Sequence, residues 1–140
     1  MENINIDSVL QIDGQKYIVL GKALYHAGLD KYYKIFLSEH HILVFTNHKV
    51  PIIFGKVVPA LPYSVPFPKE IEYNGEKFKK DSSEHQVVDE LIFGDVEGEC
   101  DFHDYINENK VISIAVLASG ERADVYGKNI SIQDIQIIFL

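Results

Sequence analysis

The chain has 140 residues, of which 46% are hydrophobic and 11% aromatic, a composition typical of a folded domain and not of a disordered segment. Its 21 acidic residues outnumber its 13 basic ones, so the formal net charge is −8. Because affinity for nucleic acids and for anionic membrane surfaces comes largely from Lys and Arg, this balance argues against both kinds of partner.

Residues 1–10 show no targeting signal. They contain two acids, no basic residue and no long apolar run, which is unlike a secretory signal peptide. No stretch of the chain approaches the roughly 20 apolar residues that a membrane-spanning helix needs. We therefore expect a cytoplasmic protein without direct membrane insertion.

The first half of the chain has the pattern of a series of short strands. Residues 9–20 predict a hairpin, because two apolar runs flank Asp13-Gly14, a pair suited to the positive φ angles of a type I′ turn. The elements that follow are a turn at Gly28, a strand over 32–37, apolar runs at 42–46 and 50–58, and a turn at 47–49 between these runs.

Residues 59–68 hold four of the five prolines. Proline has no N–H to donate to a strand ladder, and it restricts the residue before it, so this segment is predicted to be extended but not a central strand. We expect it to connect two halves of the chain.

The second half opens like the first, with Asn74-Gly75 as another type I′ signal. Residues 85–94 fit either a strand or a short helical turn, and their period does not decide between the two. From 95 to 102 acidic residues alternate with smaller apolar ones, which predicts a strand with one acidic face. The remaining predicted elements are a turn at 107–110, a buried strand after it, turns at Gly120 and Gly127, and a final strand that reaches residue 140.

The two halves resemble each other beyond their opening hairpins. Residues 33–45 and 102–114 match in residue class at most positions. With roughly ten to twelve short strands and no extended helical period, the sequence predicts an all-β or mainly-β fold. We expect two similar small antiparallel β units, forming a sandwich or paired SH3-like barrels that share one core. The chain is then a single compact domain, 1–140, with pseudo-repeated units at about 1–58 and 69–140 joined by 59–68.

The residues that suggest chemistry are few. His40 and His48 lie in predicted turns, and His103 follows Asp101 in the acidic stretch, which makes these four weak candidates for a metal site. Cys100, the only cysteine, falls on the apolar face of its predicted strand and is expected in the core, and no disulfide is possible. No phosphate-binding, dinucleotide or nucleophile-elbow motif occurs, so an enzyme is disfavoured and no cofactor is expected.

Tyrosines on predicted strands suggest a different kind of site. Tyrosine is large, stiff and amphipathic, and it is enriched at protein interfaces. The candidates for partner binding are Tyr32, Tyr63, Tyr73 and Tyr126. Together with Tyr25, these tyrosines are expected to be exposed.

Glycines and aromatic residues recur through most of the chain in one pattern. The residues that carry it are Gly14, Tyr17, Val19 and Gly21, then Tyr32-Tyr33, then Tyr73, Gly75 and Phe78, then Gly98-Glu99 with Asp104-Tyr105, and finally Gly120-Glu121 with Val125-Tyr126-Gly127. This arrangement resembles a bacterial β-rich family known only as a domain of unknown function, whose members are often encoded near phage-shock-type membrane-stress proteins. The resemblance implies a small accessory binding domain and supplies no catalytic residue.

The leading hypothesis is therefore a non-catalytic cytoplasmic binding or adaptor module that acts through a protein partner and is linked to bacterial envelope stress. A small metal-binding protein or metal-dependent enzyme is the first alternative. The second is a self-assembling subunit, a homodimer for example, in which the apolar last strand, 135–140, pairs with a neighbouring chain.

Overall fold

The computed structural model describes residues 4–45 and 52–138, and this part of the chain contains eleven β-strands and no α-helix. The all-β prediction is confirmed. The strands are β1 (Val9–Ile12), β2 (Gln15–Ala27), β3 (Asp30–Leu37), β4 (His41–Phe45), β5 (Ile52–Val58), β6 (Glu70–Tyr73), β7 (Glu76–Gly94), β8 (Cys100–Asn107), β9 (Lys110–Leu117), β10 (Arg122–Ile130) and β11 (Ile135–Ile138). A single 3₁₀ turn, Ile132–Asp134, precedes the last strand. The described residues include no helix long and apolar enough to cross a membrane.

Both predicted type I′ hairpins are present. Asp13 and Gly14 have φ angles of 52° and 78° between β1 and β2, and Asn74 and Gly75 have φ angles of 50° and 77° between β6 and β7. Positive φ at both central residues matches the twist of the flanking strands. The echo between the two sequence segments therefore reflects the same turn, used twice.

Eight of the strands close into a barrel. All neighbouring strands are antiparallel, in the order β11-β1-β2-β3-β4-β5-β10-β9-β8-β7-β6, and β2 pairs in addition with β7. That pairing joins the two ends of the run from β2 to β7, so β2, β3, β4, β5, β10, β9, β8 and β7 form a closed ring. Three of the described strands lie outside the ring: β1 and β11 extend the sheet beside β2, and β6 extends it beside β7.

Glycines allow close backbone contact where the two halves meet. At the β2–β7 joint, Gly21 is the register partner of Gly94, and a Cβ atom on Gly94 would lie 2.0 Å from the carbonyl oxygen of Leu20. At the β5–β10 joint, Gly55 is the register partner of Gly127, and a Cβ atom on Gly127 would lie 2.9 Å from the carbonyl oxygen of Phe54. Side chains larger than hydrogen would separate the strands at both joints.

Buried apolar residues form two clusters outside the barrel lumen. Along β3, β4 and β9 successive side chains alternate between the lumen and one of these clusters, as the pleat of a strand requires. The first cluster consists of Ile4, Leu10, Ile12, Tyr17, Val19, Ile35, Leu37, Leu43, Phe45, Ile52, Phe54 and Ile130. The second consists of Leu61, Ile71, Phe78, Tyr105, Ile112 and Ile114. Each cluster covers the outer side of one half of the barrel.

The two halves use their strands in the same way. The order β1 to β5 in one half mirrors the order β6 to β10 in the other, and bulges interrupt β2 between Val19 and Gly21 and β7 between Lys80 and Ser82. The finer prediction of two small barrels sharing one core is not confirmed, because neither half closes on itself and the halves have separate clusters. A duplication of the chain stays a prediction, as does the boundary at 59–68.

The proline-rich segment contains no strand and is held against β10. Arg122, the only arginine of the chain, donates from Nη1 to the carbonyl oxygen of Tyr63 at 2.8 Å and from Nη2 to Oδ2 of Asp124 at 2.7 Å. The Asp124 side chain is fully buried and also accepts from the backbone N–H of Leu61 at 2.8 Å. This segment is therefore an anchored cover over the second cluster as well as a connector.

Two sequence predictions are corrected. The strand expected over 95–102 is present only from Cys100 onward: residues 95–98 lie outside any strand, because Gly94, at φ 72°, turns the chain away from β7. The expected turn at Gly127 is also wrong, since this glycine lies inside β10 and serves the close contact with Gly55. Residues 85–94 belong to a strand, which settles the open choice. The turn predicted at 47–49 and the end of the last strand fall outside the described residues.

We predict that Gly94→Ala destabilises the protein strongly. The substitution places a methyl group against the backbone of Leu20 at a positive φ, so we expect a loss of more than roughly 2 kcal/mol in the free energy of unfolding, measured by urea denaturation. Gly98→Ala is the matched control, because a Cβ atom at Gly98 meets nothing within 4 Å. Equal stability of the two variants would contradict the importance of this joint.

We predict that Arg122→Met costs roughly 3 kcal/mol in the same measurement, because it leaves the buried carboxylate of Asp124 without its cation. The control is Lys128→Met, which breaks an ion pair with Asp13 whose side chains are about half exposed, and which we expect to change stability by less than about 1 kcal/mol. A similar loss in both variants would argue against the anchoring role of Arg122.

Candidate functional site

The lumen of the barrel is the candidate site. It encloses a cavity of about 820 Å³, and all eight barrel strands contribute side chains to its lining. Ligand pockets in proteins commonly have volumes of roughly 300–1,000 Å³, and eight-stranded barrels are known to hold one small ligand. The cavity is therefore large enough for a small organic molecule.

One wall of the lumen is apolar. It is formed by side chains from β4, β5, β9 and β10, and it includes small residues that widen the space. These residues are Ile42, Val44, Ile53, Val111, Ala115, Ala123 and Val125. Such a wall offers van der Waals contact to the hydrocarbon part of a ligand but no hydrogen bond.

The opposite wall carries a hydrogen-bonded polar network. Lys34 Nζ lies 2.7 Å from Glu97 Oε2, and their side chains are only 14% and 12% exposed. Gln86 Nε2 donates to the same carboxylate oxygen at 3.1 Å, and its amide oxygen accepts from the hydroxyl of Tyr32 at 2.7 Å. The Lys34 ammonium also lies over the rings of Tyr25 and Tyr32, 5.2 Å and 5.8 Å from the ring centroids. These contacts neutralise the buried lysine.

Glu97 reaches the lumen from the irregular segment that follows Gly94. The hydroxyl of Tyr25 donates to the backbone carbonyl of Glu97 at 2.5 Å and fixes this segment in place. Burial raises the pKa of both Tyr25 and Tyr32 above the ordinary value of a phenol, so both hydroxyls stay protonated donors.

Asp104 on β8 differs from the other buried polar groups. Its carboxyl is hydrogen-bonded to Ser113, but Oδ1, which is inaccessible to solvent, has no hydrogen-bond partner among the described residues. Burial raises the pKa of this carboxyl from 3.8 to about 6. The Ser113 hydrogen bond and Lys34 lower it, while Asp81 and Glu84 raise it further. A buried acceptor without a donor costs free energy, and such groups are frequent at functional sites.

The exposed part of the lining marks the mouth of the cavity. It lies between the tip of the β2–β3 hairpin, where Leu29 is in the turn and Asp30 and Lys31 begin β3, and the part of β7 that contributes Asp81 and Glu84. Leu29 is fully exposed. A ligand entering here passes charged side chains before it reaches the apolar wall.

The three predicted metal ligands that the structure describes, His40, Asp101 and His103, do not meet in one place. His40 is an exposed turn residue, and His48 lies outside the described residues. Asp101 pairs with Nδ1 of His85 at 2.6 Å, while His103 contacts the hydroxyl of Ser83 at 2.8 Å and stacks against Phe67. Over residues 4–45 and 52–138, no group of three or more His, Cys, Asp or Glu is arranged to hold a metal ion. The metal site stays a prediction.

The predicted partner tyrosines have two different positions. Tyr32 lines the lumen. Tyr63, Tyr73 and Tyr126 each pack against the second cluster, and the ring centroids of Tyr73 and Tyr126 are 5.0 Å apart. The expectation that they are exposed is wrong, since all four are half-buried and Tyr25 is fully buried. The reason is that the sheet is covered on both of its sides.

Sequence reasoning missed Lys34, Gln86 and Asp104. Lys34 interrupts the apolar run of its strand, which was a usable signal for an inward polar group. Asp104 lies among other polar residues, so its inward direction follows only from the register of β8 with β9. Cys100, by contrast, is buried as predicted, and burial raises the pKa of its thiol to about 12, which makes it a poor nucleophile.

Comparison with known families gives one match. The model of the family described as Domain of unknown function (DUF4178) matches residues 5–131, which span β1 to β10 and therefore the whole barrel. The chain belongs to this family. No curated protein and no solved structure matches it. The prediction of a domain of unknown function is confirmed, whereas the bacterial source and the link to membrane-stress proteins stay predictions.

In this DUF4178 domain we predict that Asp104→Asn raises stability at neutral pH. The folded-state pKa of Asp104 lies above its unfolded value, so the carboxyl stabilises the fold when protonated below about pH 4, and this contribution is lost as the pH rises through 6. A shift of about two pKa units corresponds to up to roughly 3 kcal/mol. In urea denaturation the variant should exceed the wild type at pH 7 and approach it near pH 4.

The matched control for this experiment is Asp7→Asn, which removes an exposed carboxylate in the turn before β1. We expect its stability to follow that of the wild type across the same pH range. A constant difference between Asp104→Asn and the wild type from pH 4 to 7 would show that Asp104 does not titrate with a raised pKa.

Proposed function

We propose that this protein is a non-catalytic binding protein that holds a small amphipathic molecule in the lumen of its barrel. The observation that carries the proposal is the division of the lumen into an apolar wall and a polar wall around about 820 Å³ of space. A core that served stability alone would be filled to the density of an organic crystal. The two separate apolar clusters already supply such cores on the outer sides of the barrel.

The polar residues of the lumen support binding over catalysis. Lys34 and Glu97 neutralise each other, Tyr32 is held by Gln86, and the raised pKa of Tyr32 keeps its hydroxyl protonated. No histidine is among the described residues that line the lumen, so the Ser113 hydroxyl has no imidazole base there. The walls therefore offer orientation and hydrogen bonding, which is what a binding site requires.

The proposal is tested by titrating the protein with Nile red, a neutral apolar dye. We expect saturable fluorescence enhancement with one dye per chain for the wild type and at least about a tenfold loss of affinity for Ala123→Phe, which fills the lumen. Ala118→Phe, at an exposed turn residue, should bind as the wild type does. If Ala123→Phe does not fold, Val44→Phe narrows the same cavity from β4.

Nile red binding that is absent in the wild type, or equally tight in Ala123→Phe, would contradict lumen binding. Thermal unfolding of each variant shows whether the fold is retained, so that loss of binding is assigned to the lumen and not to general unfolding.

The protein-partner role predicted from the sequence is the second candidate. Its support is the group of Tyr63, Tyr73 and Tyr126 beside β6, which is an edge strand of the sheet. The hydroxyl of Tyr63, however, accepts from the backbone N–H of Glu72 at 2.9 Å and so occupies part of that edge. We therefore place this role second. Cytoplasmic location and a role in envelope stress remain proposals from the sequence.

The self-assembly alternative depends on the last strand. β11 pairs with β1 of the same chain, with Val9 opposite Ile138 and Ile12 opposite Ile135. Ile135 and Ile137 also pack against the first cluster. This strand therefore contributes to the core of its own chain. Pairing of its outer edge with a second chain, as in a homodimer, remains a proposal without a supporting contact.

A further inference from the structure

The lumen is asymmetric in charge at two positions that correspond in the two halves. Lys34 on β3 is the register partner of Val44, which in turn faces Ile53 on β5. Asp104 on β8 is the register partner of Ser113, which in turn faces Val125 on β10. The two halves thus present a cation and an anion from the same position of the barrel wall.

Among the described residues, only one of these two charges has an ion-pair partner. Lys34 has the carboxylate of Glu97 at 2.7 Å, supplied by the segment after Gly94. Asp104 has Ser113 as a hydrogen-bond donor, but no ion pair holds its carboxylate and Oδ1 accepts no hydrogen bond from the described residues. A buried carboxylate is stabilised by a donor that carries positive charge more than by a neutral donor.

The lining of the cavity as a whole is negatively charged, as Asp104 is. Five carboxylates line the cavity against two ammonium groups, a formal charge of −3, and one of the two ammonium groups is already paired with Glu97. The carboxylates are Asp30, Asp81, Glu84, Glu97 and Asp104, and the ammonium groups are those of Lys31 and Lys34. A cavity whose lining has a net negative charge attracts cations and repels anions.

We propose that the lumen selects an amphipathic organic amine, whose ammonium group pairs with the carboxylate of Asp104 and whose hydrocarbon part lies against Val44, Ile53 and Val125. This inference rests on the proposed binding function and adds the chemical class of the ligand. The apolar wall favours a hydrocarbon body, and the carboxylate of Asp104, which has no ion pair among the described residues, favours a cationic head.

The test displaces Nile red from the wild type with three unbranched probes of six carbon atoms each: hexylamine, 1-hexanol and hexanoate. We expect hexylamine to bind at least about tenfold more tightly than 1-hexanol, because an ion pair of ammonium and carboxylate is stronger than a hydrogen bond from a neutral hydroxyl, and hexanoate to bind most weakly. In Asp104→Asn, hexylamine should bind no more tightly than 1-hexanol.

Asp101→Asn is the matched control, since it removes a carboxylate from the same strand at a position paired with His85 on the outer side. It should keep the preference of the wild type for hexylamine. A pH series gives a second readout: hexylamine binding should weaken below about pH 6, where the raised pKa of Asp104 leaves its carboxyl protonated.

The outcomes separate the two proposals. Equal binding of hexylamine and 1-hexanol, or an amine preference that survives Asp104→Asn, overturns the amine inference and leaves lumen binding in place. Failure of Nile red and of all three probes to bind overturns both. Saturable binding of Nile red, a neutral apolar dye, to Asp104→Asn shows that the variant preserves the lumen.

Discussion

The pairing of β2 with β7 is the constraint on which the rest of the structure depends. It joins strands from the two halves of the chain and turns an open sheet into a ring. The contact between Gly21 and Gly94 brings the two backbones closer than any side chain would allow. Without this joint, the side chains that line the lumen would belong to an exposed sheet surface, and the polar network around Glu97 would have no opposite wall.

The ring also determines where hydrophobic stabilisation is found. Since the strands of each half are covered on their outer sides by β1 and β11 or by β6 and the proline-rich segment, the apolar clusters lie outside the barrel. The interior is then free to hold polar groups, among them a carboxylate whose ionisation opposes folding. Proteins retain such unfavourable groups where binding or chemistry needs them, which is why Asp104 indicates function and not stability.

Local features of the fold could be predicted from the sequence, whereas the closure could not. Asp13-Gly14 and Asn74-Gly75 determine their turns through their own φ preferences, so neighbouring residues suffice to recognise them. The β2–β7 and β5–β10 joints connect residues about 70 positions apart, and nothing in a local pattern specifies such a pairing. The candidate site forms only when these joints close the barrel, so most of its residues could not be identified from local sequence patterns. The alternation from Asp95 to Asp101 misled for the same reason: a period of two does not reveal the bend after Gly94, which sends Glu97 inward and leaves Glu99 and Asp101 with His85 outside.

Because β1 pairs with β11, the first half cannot complete its fold before the last strand has been made. The first cluster contains residues of β1 to β5, but Ile130, Ile135 and Ile137 complete it from the far side of the second half. During synthesis on the ribosome, the core of the first half therefore stays incomplete until the chain has been extended from the end of β5 at Val58 to Ile138. We expect the return of the last strand to the first to be slow, because it joins residues of long sequence separation.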